Sequence, residues 1–268
     1  MFSKLRSLIF KVDPEKAHTL AIKSLKFNLV PNVFDENKND PIFQTKIFDK
    51  DLDNPIGMAA GFDKNAEVYN SLFKLGFGFV EVGTITPLKQ YGNPKPRVFR
   101  LVEDEALINR LGFNNHGAKI IKERIKRNKK LGLLGINVGP NKDSSDRLND
   151  YLIGLKTFYD DADYITINIS SPNTENLRTF HEGDKLHDLL KSIMEERENL
   201  KSNIPIAVKV SPDISEDQVN KISEILLEHE IKVIIVSNTS EATRDKLSNI
   251  QRHQKGGLSG KPIEEKSN

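Results

Sequence analysis

The alternation of short aliphatic runs with helical patterns constrains this chain more than any other feature. Strand-length runs stand at 56–59, 79–83, 133–138, 164–169, 206–210 and 233–236, and patterns such as 66–75, 118–129, 186–200 and 216–228 fill the gaps. Aliphatic strands separated by helices predict an α/β fold with a parallel sheet buried on both faces. A doubly wound sheet and a (β/α)8 barrel both satisfy that pattern. The polar residues favour the barrel, because nearly every run ends in them: Gly61 to Asn65, Gly83-Thr84, Asn137, Asn168 to Asn173, Lys209, and Ser237-Asn238-Thr239. A barrel gathers its functional groups from the C-terminal ends of all its strands, whereas a doubly wound sheet uses one switch point.

Composition narrows the chemistry. Forty Lys and Arg against 38 Asp and Glu leave a formal charge of +2, so bulk charge gives no reason to expect nucleic acid as a partner. Cysteine is absent, which removes disulfides, thiolate metal sites, iron–sulfur clusters and a cysteine nucleophile. The six histidines show no metal-ligand spacing, and no metal is expected. Residues 31–40 read as a polar linker, giving an N-terminal part at 1–40 and a main domain at 41–268.

The first thirty residues read as two short basic helices. Phe2, Leu5, Leu8, Ile9 and Val12 recur at helical spacing; Asp13-Pro14-Glu15 then opens a second helix with Ala17, Leu20, Ala21 and Leu25 on one side. Lys4, Arg6, Lys11, Lys16, Lys23 and Lys26 outnumber Asp13 and Glu15. Such helices suit an anionic membrane surface at about 1 kcal/mol per basic residue, or a hairpin packed on the main domain; patterning alone favours the hairpin.

The densest chemistry follows the run at 164–169. Asn168, Ser170, Ser171, Asn173 and Thr174 bring donors and acceptors without net charge, a set suited to a planar ring, with Ser171 or Ser170 placed to exchange a proton. Ordinary turn chemistry accounts for the same residues. Lys64 and Lys209 stand at strand ends in apolar or glycine-rich surroundings and could neutralise an anion. Asn109-Arg110-Leu111-Gly112-Phe113 could clamp a carboxylate and cover an aromatic ring. The glycines at 57–61 and 256–260 permit close backbone approach.

Together these motifs resemble the dihydroorotate dehydrogenases, specifically the quinone-dependent class 2 enzymes. The resemblance runs in order through Asp13 to His18, Ala59 to Lys64, Glu81 to Thr84, Asn109 to Asn115, Asn168 to Thr174, Val208-Lys209, Ser237 to Thr239 and Gly256 to Gly260. It implies a (β/α)8 TIM barrel that oxidises dihydroorotate to orotate through FMN, with a membrane quinone as acceptor, at the cytoplasmic side of the inner membrane. Ser171 is then the base, and Thr174 with a water near Phe113 relays its proton. Lys64, Asn109, Arg110, Leu111, Gly112, Phe113, Asn168, Asn173, Asn238 and Thr239 are the implied substrate residues. Ala60, Gly61, Phe62, Asp63, Lys64, Thr84, Asn137, Asn168, Lys209, Ser237 and Gly260 are the implied flavin residues. Ser237 stands where relatives usually carry Thr.

The resemblance also reverses the preference at the N-terminus, since class 2 enzymes carry a membrane-docking helical extension. It implies two further βα units beyond Gly260, about 70 residues at ordinary βαβ length. The sequence is therefore expected to be a C-terminally incomplete barrel, six of eight βα units, read as a fragment lacking the loops that hold the flavin phosphate. Another flavin barrel acting on a pyrimidine, or a catalytically silent binding protein, are the competing readings.

Overall fold

The computed structural model describes residues 6, 9–29, 41–174, 177–242 and 244–267. Phe2, Leu5 and Leu8, the linker at 31–40, and the packing of a first helix built on those apolar residues lie outside the described residues. The helix that follows, α1 (Pro14–Lys26), begins as its sequence requires: Asp13 accepts from Lys16 N at 2.9 Å, and Pro14 and Glu15 occupy the first turn.

Six strands form one parallel sheet: β3 (Gly57–Met58), β4 (Phe79–Ile85), β7 (Leu133–Val138), β8 (Tyr164–Asn168), β9 (Ile206–Lys209) and β10 (Val233–Ile235). Their spatial order follows their chain order without a reversal. A doubly wound sheet must reverse order at its switch point. This one never does, so it curls in one direction as six units of a (β/α)8 barrel. The crossovers carry α2 (Tyr69–Lys74), α3 (Ala118–Arg127), α4 (Arg147–Phe158), α5 (Gly183–Asn199) and α6 (Glu216–Glu228). Side-chain caps fix two of these starts: Asp146 accepts from Asn149 N, and Ser215 with Gln218 forms a capping box.

Period-two alternation sorts the strand residues into two cores. Val80, Val82, Leu134, Ile136, Ile165, Ile167, Ile206 and Val208 face the helices in the larger cluster. Each of these side chains contributes about 1.5–3 kcal/mol by burial. Leu133, Tyr164 and Ala207 belong instead to a small cluster at the foot of the barrel, joined by Phe79, Val233 and Ile235. An antiparallel hairpin, β1 (Thr45–Ile47) with β2 (Lys50–Leu52), plugs that foot through Phe48 and Leu52. The rings of Phe48 and Tyr164 lie 5.3 Å apart there.

Two elements were not expected from the sequence. Besides the plug, this is a three-stranded antiparallel sheet of β5 (Val98–Leu101), β6 (Ala106–Asn109) and β11 (Gly257–Gly260), in the order β11-β6-β5; the short α7 (Glu264–Ser267) stands where the sixth helix of the barrel is expected. The sheet sits at the C-terminal ends of the barrel strands. Its strands have only four residues, too few for periodicity to stand out, and β11 is half glycine.

The expected apolar side of α1 needs correcting. Leu25 is buried, and Ile22 packs against the core beside it, but Leu20 is 61% exposed. The inward face is His18, Ile22 and Leu25, spaced four and then three residues apart, and Leu20 falls off that stripe.

Candidate active site

The polar strand ends and the antiparallel sheet enclose a cavity of about 280 Å³. Ala60, Gly61 and Lys64 reach it from the loop after β3, Thr84 from β4, Asn168, Ser171 and Asn173 from the end of β8, Lys209 from β9, and Asn238 with Thr239 from the loop after β10. Asn109, Leu111, Gly112 and Phe113 come from the end of β6 and the following loop. The antiparallel sheet adds Val98, Leu107 and Ser259, none of which the sequence reading singled out. Val98 and Leu107 alternate with the buried Phe99 and Ile108, a weak two-residue signal hidden in short strands.

Six of the expected site residues are not on the cavity wall. Asn137 lies directly beneath it, fully buried, its Oδ1 accepting from Thr84 Oγ1 at 2.6 Å and Asn168 Nδ2 at 3.1 Å. Asp63 is buried and accepts from Glu67 N and Val68 N at 2.8 and 2.7 Å, which makes it a backbone anchor. Burial pushes its carboxyl above the usual range, against the pull of those N–H groups. Phe62 turns toward α1, edge-on to His18 with ring centroids 5.2 Å apart. Arg110 points away from the cavity: it donates to Gln254 Oε1, Lys255 O and Pro96 O and covers the Phe99 ring. The Ser237 hydroxyl bonds to Asn238 O and Ser267 Oγ. Gly260 pairs with Ala106 at the exposed end of β11, and a Cβ on it would meet Glu105 O at 2.4 Å. Backbone pairing accounts for Arg110 and Gly260, because both sit where the antiparallel sheet is tied together.

The two adjacent serines separate cleanly. Ser170 is fully buried, its Oγ donating to Asn168 Oδ1 at 2.7 Å and accepting from Asn238 Nδ2 at 2.9 Å. Ser171 faces the cavity, where its Oγ accepts only from Asn173 N at 3.2 Å. Arg178 holds the surrounding loops together, donating to Ser170 O and Thr239 O while pairing with Asp213 and Glu241.

The wall carries two lysines, four asparagines and no carboxylate. Neither lysine has a hydrogen-bond or ion-pair partner among the described residues. Burial lowers the Lys64 ammonium to about 8, Arg97 and Lys209 adding to the effect and Glu15 opposing it. Two unpaired lysines and a ring of amides suit an anion rich in hydrogen-bonding groups.

A second cavity, of about 360 Å³, adjoins the first beneath α1. The two share Gly61, Lys64, Val98, Leu107 and Leu111; Ile22 and Phe62 extend the apolar wall, and His18 and Arg100 line it. Burial, then the charge of Lys64, hold the His18 imidazole below its usual range, with Glu15 opposing.

Comparison with known proteins shows the family of the chain. The family model for dihydroorotate dehydrogenase matches residues 42–267. This chain belongs to the dihydroorotate dehydrogenase family. Among its relatives, the dihydroorotate dehydrogenase (quinone) of Bartonella tribocorum is 47% identical over 269 residues, covering 98% of this chain and 73% of the relative. That of Agrobacterium fabrum is 46% identical over 272 residues, covering 100% and 74%. Two dihydroorotate dehydrogenase structures from Eimeria tenella superpose closely. The ligand-free one has a TM-score of 0.89 at 37% identity, covering 95% of this chain and 77% of that one. A complex with ferulenol gives 0.88 at 36%, covering 93% and 73%.

Proposed function

We propose that this cavity is where the chain oxidises dihydroorotate to orotate in pyrimidine biosynthesis, with FMN as its flavin and a membrane quinone as the final acceptor. The observation that carries the reading is the wall itself: Lys64 and Lys209 without counter-ions, four asparagines, and no carboxylate. Orotate and its dihydro form carry one carboxylate and a ring of amide-like groups, which this wall complements.

The residues also fit a flavin. Lys209 is 8% exposed and faces the cavity unpaired, and beside Thr84 it can meet the polar edge of the ring system. A bound flavin supplies the hydride acceptor. Ser171 takes the substrate proton, because its hydroxyl faces the cavity while that of Ser170 is committed. Asn109 and Asn173, whose side chains meet at 3.4 Å, hold the ring from one side, and Asn238 with Thr239 from another. Thr239 Oγ1 is buried without a partner, leaving a donor for the ligand. Lys64, set between the two cavities, answers the carboxylate.

The second cavity suits the quinone: it is largely apolar, touches the first through five shared residues and is roofed by α1. Residues 1–40 serve as a membrane-facing extension on the domain at 41–268. Ile9, Val12, Leu20, Phe27 and Leu29 are exposed, and Lys11, Lys16 and Lys23 stand among them. Apolar and basic side chains so mixed support peripheral docking on the cytoplasmic side of the inner membrane. No helix among the described residues is long and apolar enough to cross a membrane.

The test is a flavin absorbance spectrum of the purified protein, followed by its bleaching with dihydroorotate and recovery on adding a soluble quinone. A flavin-loaded protein that dihydroorotate does not bleach would refute the reading.

A further inference from the structure

Ser171 hangs from a peptide whose carbonyl belongs to Ser170, and one guanidinium holds that carbonyl. Arg178 Nε donates to Ser170 O at 3.2 Å, and Nη2 to Thr239 O at 2.9 Å. Through Nη1 the same group reaches Asp213 Oδ2 at 3.0 Å and Glu241 Oε2 at 3.3 Å. One planar fork therefore spans the loops that follow β8, β9 and β10. Its own backbone is fixed in the short helical turn Leu177–His181, where Leu177 is fully buried. The Arg178 carbonyl can only accept, so His181 Nδ1 donates to it at 2.9 Å, and Nε2 accepts from Ser211 N at 3.3 Å.

The two loop carbonyls do not depend equally on this fork. The Thr239 end is tied elsewhere: Asn238 N donates to Val210 O at 3.0 Å, Thr239 N to Asn238 Oδ1 at 2.8 Å, and Ser240 exchanges backbone bonds with Leu258 at 2.9 and 2.7 Å. The Ser171 end is not. Ser170 is held through its N–H by Asn168 Oδ1 and through its hydroxyl by Asn168 and Asn238, but the peptide leading on to Ser171 turns beyond all of these. Asn173 N bonds the Ser171 hydroxyl at 3.2 Å and moves with the same loop. Among the described residues, Arg178 is the only partner of Ser170 O.

We propose that Arg178 is a positioning residue for proton transfer: it fixes the Ser171 hydroxyl against the well-fastened loop of Asn238 and Thr239, which holds the ring. A lysine offers one point charge and cannot grip both carbonyls in a fixed geometry. A misplacement of about 1 Å costs about 10²-fold in rate, so the grip tells on rate before affinity. The inference rests on the cavity being the dihydroorotate site with Ser171 as base, which bleaching of the unmodified protein and its slowing in Ser171→Ala check on their own.

The experiment measures flavin reduction at saturating dihydroorotate, orotate Kd and Tm in flavin-loaded variants. Arg178→Lys keeps a positive charge beside Asp213 and Glu241 but loses the fork. Its Tm and orotate Kd stay close to those of the unmodified protein while reduction slows about tenfold or more. Arg178→Ala loses stability as well, and added guanidinium ion, at concentrations that leave the unmodified protein's Tm unchanged, recovers part of its reduction rate. Glu241→Gln removes an exposed partner without touching either carbonyl and leaves reduction unchanged. A normal rate in Arg178→Lys, or an orotate Kd raised as much as the rate is lowered, would overturn the proposal. So would an Arg178→Ala protein indifferent to guanidinium. Equal slowing in Glu241→Gln would also overturn it, since the loss would then belong to the ion pair. If Arg178→Ala does not fold, Arg178→Lys decides; if neither folds, Arg178 serves the fold alone and the proposal falls.

Discussion

Arg97 and Glu15 form a bidentate pair, 2.6 Å at closest approach, that fastens α1 to the strand bordering both cavities. Arg97 is 6% exposed and also donates to Tyr91 O and Asn93 O, so its guanidinium is fixed from two sides. The roof of the second cavity is therefore secured by this pair, by Lys26 with Glu67 at 3.1 Å, and by Leu25, whose carbonyl accepts from Ser71 Oγ at 3.0 Å.

Glu15→Ala is expected to destabilise the protein by about 3 kcal/mol, because it leaves a buried guanidinium without its counter-ion. Burial raises the Glu15 carboxyl, but the hydrogen bonds and charge of Arg97, helped by Lys95, carry it below its ordinary value. A lowered folded-state value means the contribution is present above the unfolded carboxylate range and is lost as pH falls through the folded one. Thermal unfolding at pH 7 and pH 3.5 checks this: the variant's deficit should shrink at the lower pH. An equal deficit at both would mean the pair is not the cause.

Ser171→Ala is expected to keep its flavin while flavin reduction by dihydroorotate slows about 10²-fold or more, the range for a positioned base. Ser170→Ala should instead disturb Asn168 and Asn238 and weaken orotate binding. Stopped-flow bleaching and orotate titration of both variants separate the roles. Near-normal bleaching in Ser171→Ala would remove it as the base.

Orotate affinity should depend on pH through Lys64. Its ammonium sits at about 8 in the free cavity, and a bound carboxylate raises that value. Affinity is then full below about pH 8 and falls as pH rises through it, by at most about tenfold per unit. Lys64→Arg stays charged throughout and should flatten the profile. A wild-type Kd that is level from pH 7 to pH 9 would argue against Lys64 as the carboxylate partner.

Deletion of residues 1–30 should spare flavin reduction but impair quinone turnover and liposome binding. It removes Glu15, His18, Thr19 and Ile22 from the second cavity while leaving every wall residue of the first. Unchanged quinone turnover and vesicle binding after the deletion would leave the helices with a packing role only.

The barrel was legible because its strands advertise themselves twice, by aliphatic runs and by the polar residues that end them. Tyr164 to Asn168 shows both: two isoleucines face the helices while Tyr164, Thr166 and Asn168 face inward. Local pattern does not reveal long-range pairing, and the antiparallel sheet of β5, β6 and β11 therefore has no signature in the sequence. Arg110 has the composition of a carboxylate clamp, yet its carbonyl partners are Pro96 and the distant Lys255. Asn137 was found, but its place beneath the wall depends on the strand register that stacks it between Glu81 and Thr84.

That antiparallel sheet has a consequence for synthesis. Gly257 stands opposite Asn109, and Gly260 opposite Ala106, so β11 closes onto a strand made far earlier. On a ribosome the inner strands, each paired to its neighbour in chain order, can assemble as they emerge, while β6 waits with one edge bare until β11 arrives. The mouth of the barrel is thus the last part of this region to be walled in, and a ligand present during translation meets the amides before the compartment around them is finished.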